Sequence, residues 1–245
     1  MDRTKFYCLN YNNDQRKKNM QCRFDTLQLK CVFSSGVDFA DKRISDYSEL
    51  IDDGTKRVWS CMYGHLDMIH DFYYNTNKDF GVFCEDDIYL HKNLTNYLPR
   101  ICLDFSILKL DVLLLGYLLQ TDPNKSSDFT MKRLFINGSP FTYHSFPDYV
   151  WGTQMYMLSR SQAKYLLDKY GSTNNGNTCY AERTITDKSI TPFSADWTLT
   201  KEGNRSIINP IVVVEDNATD YSNDGQGSFH KKCFDLHFKE NLFII

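Results

Sequence analysis

Short apolar runs alternate with longer stretches of helical period along the chain, the pattern of an α/β domain with a largely parallel sheet. Residues 5–11 read as a first strand. Asn12, Asn13 and Asp14 then offer capping side chains, and Met20, Phe24 and Leu27 recur at spacings of four and three, predicting a helix over 14–28. Residues 29–34 give a second strand. From Thr55 onward Val58, Cys61, Met62, Leu66, Ile69, Phe72 and Tyr73 mark one helical face over about five turns, the clearest periodicity in the sequence. Residues 80–84 form a short apolar run that ends directly in Glu85-Asp86-Asp87. Residues 111–119 form a second run, apolar enough for a strand buried on both faces. Residues 155–158 lead into a helix with Ser161 as its cap and Gly171 as its stop. Residues 172–189 are polar, rich in Gly and Asn, and aperiodic, and are expected to form a mobile loop. A last strand is predicted over 207–214, followed by a polar tail.

Size and charge narrow the partners. A chain of 245 residues, 42% hydrophobic, suffices for one domain with a substantial core. Its net charge of -3 and lack of a long basic block offer no electrostatic footprint for nucleic acid. No apolar run reaches the roughly 20 residues of a membrane span, and the opening MDRTKFYCLNY lacks the pattern of an export signal, so a cytoplasmic protein is expected. The eight cysteines are scattered without paired spacing, which reads as reduced thiols. Aromatic residues make up 15%, suiting either a heavy core or a surface on which sugars stack.

The candidate chemistry centres on the acidic triplet. Adjacent carboxylates repel unless a cation or solvent separates them, and oxygen ligands suit Mg²⁺ or Mn²⁺. In a continuing strand Glu85 and Asp87 point the same way, at the sheet edge where open α/β folds bind ligands. Taken alone, the triplet reads as a solvated acidic turn. Arg16 and Lys17 lie in the first turn of the first helix, where cations oppose the macrodipole and a docked anion removes the conflict. His65 falls on the apolar stripe and faces inward, either as a hydrogen-bonded core residue or as a ligand. His65 and His70 are five residues apart, and no H-x-x-x-H spacing occurs, so no hydrolytic zinc site is expected.

Four segments resemble glycosyltransferase family 25, the group of bacterial lipooligosaccharide galactosyltransferases and procollagen galactosyltransferases. Phe6 through Asn10, followed by Arg16, resembles the family's opening strand, although Tyr11 and Asn12 stand where Asp and Arg are usual. Cys61-Met62-Tyr63-Gly64-His65-Leu66 is similar to its Gly-Cys-x-x-Ser-His element, with Gly64 in place of Ser. Phe83 through Ile88 resembles its Leu-Glu-Asp-Asp-Val segment, and Trp151 through Ser159 its Gly-Thr-x-x-Tyr-x-Ile-Ser stretch. Pro192 through Trp197 is similar to its Pro-x-x-x-Asp-Trp region.

The resemblance implies a GT-A-like fold, with a Rossmann-related, mostly parallel central sheet flanked by helices. It implies a nucleotide-binding half at about 1–118 and an acceptor-binding half at about 119–245. It further implies a UDP-sugar donor, commonly UDP-galactose, and a glycan or a glycosylated or hydroxylated protein as acceptor. Leu9, Asn10, Arg16, His65, Glu85 and Asp86 become candidate donor contacts, and Glu85 and Asp87 candidate ligands of Mn²⁺ or Mg²⁺. An inverting transfer needs a base, for which Asp196 is the first candidate and Asp148 the second. Two other readings remain open: a nucleotidyltransferase using the same acids, although residues 10–16 contain no glycine for a phosphate loop, and an inactive relative that binds glycans.

Overall fold

The helix that dominates the sequence pattern, Asp53–Asn75, starts where the Asp52 carboxylate accepts a hydrogen bond from the Thr55 N–H at 2.6 Å. Its apolar stripe, Met62, Leu66, Ile69 and Phe72, is wholly or almost wholly buried. A computed structural model describes residues 3–171, 179–216 and 225–245. In chain order the elements are β1 (Thr4–Leu9), α1 (Asp14–Thr26), β2 (Cys31–Ser34), α2 (Lys42–Ser45), α3 (Asp53–Asn75), β3 (Phe80–Glu85), β4 (Ile88–His91), α4 (Leu94–Ile107) and β5 (Val112–Leu118). They continue with β6 (Arg133–Leu134), β7 (Thr142–His144), β8 (Trp151–Ser159), α5 (Arg160–Tyr170), α6 (Tyr180–Thr186), α7 (Ala195–Thr198), β9 (Arg205–Asn209), β10 (Val213–Glu215), α8 (Gly225–His237) and β11 (Phe243–Ile244).

The main sheet has eight strands in the order β2-β1-β3-β8-β5-β9-β7-β6. β8 pairs antiparallel with both β3 and β5, and β7 antiparallel with both β9 and β6, while the other ladders are parallel. All strands except β7 and β8 therefore run one way, giving the mostly parallel α/β sheet predicted. Period-two alternation splits the core in two. Tyr7 and Leu9 point to the side covered by α3 and α5, where the Tyr7, Phe83 and Tyr156 rings stack at successive centroid distances of 5.4 Å. Phe6 and Cys8 point to the side covered by Met20 and Phe24 of α1 and Leu98, Ile101 and Phe105 of α4. α3 approaches β1 so closely that a Cβ on Gly64 would lie 2.7 Å from Leu9 Cδ1. That contact accounts for glycine where the family element carries Ser.

Several expectations are corrected. α5 is capped by Ser159, whose hydroxyl accepts from the Gln162 N–H at 3.1 Å, and not by Ser161. Within the stretch expected to be a loop, 172–178 lie outside the described residues, whereas Tyr180–Thr186 is helical with Ala181 buried. The strand expected at 207–214 is two strands: Pro210 has no N–H to donate, and beyond it Val212 donates once more to Leu115 of β5 before Val213–Glu215 pair with β4. β4, β10 and β11 form a second, antiparallel sheet in the order β10-β4-β11. The polar tail holds α8, and Phe234 and Phe238 pack on Tyr89 of β4 at 6.5 and 5.5 Å between ring centroids. Among the described residues no helix is long and apolar enough to cross a membrane. All eight cysteines are free thiols, with Cys8, Cys84, Cys102 and Cys233 buried.

Candidate active site

The parallel strands β1 and β3 end side by side, Leu9 opposite Glu85, so that Asn10 and the acidic triplet emerge from the same sheet edge. Asp86 and Asp87 lie in the bend between β3 and β4, so the carboxylates are set by a turn and by strand pairing across it. The Asn10 amide donates to Asp86 Oδ2, and the Asp216 N–H, at the end of β10, donates to the Asp87 carbonyl. Behind the turn, Arg23 forms a buried ion pair with Asp216 at 3.0 Å and donates to the Ile88 carbonyl at 2.9 Å, fixing the second sheet to α1. The Asn13 side chain caps α1, and two residues beyond the helix start Arg16 places its Nη1 3.2 Å from both Asp86 Oδ1 and Asp87 Oδ2.

Leu9, Arg16, Ser60, Cys61 and the three acids line a cavity of about 460 Å³. Glu85 also lines a second cavity of about 380 Å³, with Trp151, Thr153, Asp196, Trp197, Glu215 and His230. The Trp151 and Trp197 rings meet edge to face at 4.5 Å, and Trp197 is 42% exposed. A more voluminous cavity of about 770 Å³ lies between the start of α3 and residues 184–193. Its acids, Asp52 and Asp187, cap the backbone at Thr55 and Ser189, and its Lys188 donates to a carbonyl, so no chemistry converges there.

The electrostatics of the two smaller cavities separate the carboxylates. Burial pushes Asp87 up to about 7, reinforced by the charge of Glu85 and opposed by Arg16. Burial would raise Glu85 as well, yet the nearby His65 and the Thr153 hydroxyl bring it below its ordinary value. Asp196 is raised, by burial first and Glu85 second. Thr153 Oγ1 stands 2.7 Å from Glu85 Oε1 and 2.9 Å from Asp196 Oδ1. A hydroxyl has one hydrogen to give, so both contacts are hydrogen bonds only if one carboxyl is protonated. The Thr153 hydroxyl therefore donates to one carboxylate at a time, and burial together with the Glu85 charge makes Asp196 the more readily protonated of the two. Across the cavity, His230 Nδ1 lies 2.7 Å from Glu215, which draws the imidazole toward its cationic form against the effect of burial.

The residues singled out in the sequence do not all converge. Leu9, Asn10, Arg16, Glu85, Asp86 and Asp87 share the first cavity or its wall, and Asp196 faces the second. Asp148 is held elsewhere: its carboxylate is 74% exposed, pairs with Arg205 at 2.7 Å and lines neither cavity. His65 is wholly buried against the Tyr156 hydroxyl, 3.0 Å from its Nδ1, as the inward-facing stripe position requires. Among the described residues, the side chains that bring three ligand-type atoms within 4.8 Å of one another are Cys61, His65 and Glu85, a group that no paired-histidine spacing marks. Glu215 and His230 were also missed, since nothing local marks residues brought in by a distant strand and helix.

A carboxyl raised to about 7 beside another carboxylate reports crowded negative charge at the wall of the first cavity.

Carboxylates and a guanidinium gathered at the carboxyl ends of parallel strands place the protein among α/β enzymes that bind ligands at that edge. Residues 3–181, nearly three quarters of the chain, match glycosyltransferase family 25, described as an LPS biosynthesis protein. The chain belongs to that family and is a glycosyltransferase. Asp196 lies beyond the matched residues. A comparison with curated proteins finds no match. Among solved structures the chain is similar to A197 from STIV, at 9% identity and a TM-score of 0.43, covering 84% of this chain and 81% of that one. It is similar also to a glycosyltransferase involved in glycosylation of the major capsid of PBCV-1, at 8% identity and 0.43, covering 98% and 92%. For a mannose-1-phosphate geranyltransferase from Thermus thermophilus the values are 10% and 0.47, covering 84% and 73%. Scores below 0.5 carry no argument about function.

Proposed function

We propose that the protein transfers a hexose, galactose or glucose, with inversion from a UDP-sugar to a hydroxyl of a glycan or of a glycosylated or hydroxylated protein. The observation that carries this reading is that Glu85 lines both cavities, one with the features of an anion and cation site and the other with a buried carboxyl and exposed indole. Leu9, Asn10, Arg16, His65 and Asp86 form or support the donor's side, within the half at about 1–118. Glu85 and Asp87 would hold Mn²⁺ or Mg²⁺, and the chemistry such a cation supplies is neutralisation of charge on the departing diphosphate.

The chain's own residues account for the remainder. Arg16 offers a guanidinium to a phosphate once its acidic partners are otherwise satisfied. His230, which Glu215 draws toward its cationic form, offers positive charge in the cavity where the leaving group separates. Trp197 presents an apolar face against which an acceptor sugar stacks. Asp196 is placed to take the acceptor hydroxyl's proton, and its raised pKa brings it nearer the operating pH, where a base is most effective. Thr153 holds Asp196 and Glu85 at fixed separation and donates to whichever is ionised.

Incubation of the protein with a panel of nucleotide sugars and Mn²⁺ tests the reading. UDP release that depends on an added glycan or hydroxylated peptide is expected. Pyrophosphate release from a nucleoside triphosphate would instead show a nucleotidyltransferase, and glycan binding without turnover an inactive relative.

A further inference from the structure

Cys61 and His65 stand one turn apart on α3 and direct Sγ and an imidazole nitrogen to the same point as a Glu85 carboxylate oxygen, all within 4.8 Å of one another. His65 is 0% exposed, and its Nε2 has no hydrogen-bond partner, the nearest carboxylate atom, Glu85 Oε1, lying 3.7 Å away. A buried ring nitrogen left unsatisfied is destabilising. The opposite nitrogen is not idle: Nδ1 sits 3.0 Å from the Tyr156 hydroxyl.

We propose that Cys61, His65 and Glu85 form a binding site for a borderline-soft divalent cation of the zinc class, with chemistry different from that of the hard-oxygen pair Glu85 and Asp87. Sulfur, imidazole nitrogen and a carboxylate oxygen are zinc's donor set, whereas Mg²⁺ and Mn²⁺ favour oxygen and gain little from a thiol. Three protein ligands leave the fourth tetrahedral position open, and Cys61 and Glu85 both border the 460 Å³ cavity from which water or a small ligand would fill it. Tyr156 supplies the outer contact: when Nδ1–H donates to its oxygen, the Nε2 lone pair is presented to the cation. Binding draws the donor atoms in to about 2.0–2.3 Å, and the thiol proton passes to solvent as the sulfur–metal bond forms.

Because Glu85 belongs to both donor sets, occupancy by zinc withdraws it from the pair with Asp87. A zinc-class ion is therefore an antagonist of transfer. That consequence rests on the proposed function, but the binding site does not.

Cobalt(II) reports the site directly, since thiolate ligation gives an intense charge-transfer absorption in the near ultraviolet. Full-length protein, reduced and freed of metal, is titrated with Co²⁺; the band is expected to saturate at one ion per chain and to be bleached by Zn²⁺. Cys61→Ser should abolish the band while Cys22→Ser, at an exposed position, retains it. His65→Gln should weaken Co²⁺ binding at least about tenfold. The absence of a band in the wild type, or its survival in Cys61→Ser, overturns the proposal. Should Cys61→Ser fail to melt cooperatively, unchanged affinity in His65→Gln overturns it instead. The spectrum needs no donor or acceptor, so a protein that binds Co²⁺ this way but transfers no sugar refutes the proposed function alone.

Discussion

Replacing Asp87 with Asn should stabilise the metal-free protein at pH 8 and flatten its response to pH. Asp87 is pushed from an ordinary value of 3.8 up to about 7, by burial and then by Glu85. In this range the folded chain holds a proton that the unfolded chain has lost. Stability from this group is thus fully present below pH 3.8 and is lost as pH rises through 7. The slope is about 1.4 kcal/mol per pH unit, so the whole window amounts to roughly 4 kcal/mol at most. The side chain is 17% exposed, and solvent relaxation reduces the effect to about 1–3 kcal/mol. Asn keeps the shape and an acceptor oxygen but cannot ionise. It forfeits an ion pair with the half-exposed Arg16, worth at most about 1 kcal/mol, and Arg16 keeps Asp86. The net gain at pH 8 is about 1–2 kcal/mol, or a melting temperature higher by about 2–8 °C. Thermal melts in chelator from pH 5 to 8.5 measure it. With Mn²⁺ and UDP present the order should reverse, because only the wild type gains from binding. A variant that melts below the wild type in chelator at pH 8, or that loses stability with pH as steeply, refutes the reasoning.

Three further outcomes are expected. Asp196→Asn should slow sugar transfer by about 10²–10⁴-fold and change donor affinity by less than about threefold, while Asp148→Asn, an ion-pair partner of Arg205 outside both cavities, stays near the wild-type rate; steady-state kinetics and donor titration decide between them. Thr153→Val removes the hydroxyl between Glu85 and Asp196, so the two carboxylates repel without a bridge, Asp196 rises further, and the acidic limb of the pH–rate profile should move to higher pH; an unmoved limb would remove Thr153 from the proton inventory. Reductant should leave the melting temperature unchanged, since all eight cysteines are free thiols, and a fall of several degrees in differential scanning calorimetry would reveal a structural disulfide.

The sequence by itself determined which segments bury a face. The stripe Met62, Leu66, Ile69 and Phe72 carries its period locally, and the runs that became β3 and β5 are apolar throughout because both faces of the sheet are covered. The acidic triplet and the family were legible for the same reason, as contiguous residues in a recognisable order. Only the tertiary structure decided which strands are neighbours and in which direction they run. Trp151–Ser159 has the apolarity of any central strand, and its antiparallel insertion between β3 and β5 is what carries Thr153 to Glu85. The second sheet and α8 were hidden because their apolar residues meet through contacts far apart in sequence, such as those of Tyr89 with Phe234 and Phe238. Side-chain burial patterns are set by the nearest few residues, whereas a site is assembled where chain ends, turns and helix faces from distant segments converge. Hence Glu85 was visible from its neighbours, while Cys61, His65, Asp196 and His230 acquired their relation to it only in the fold.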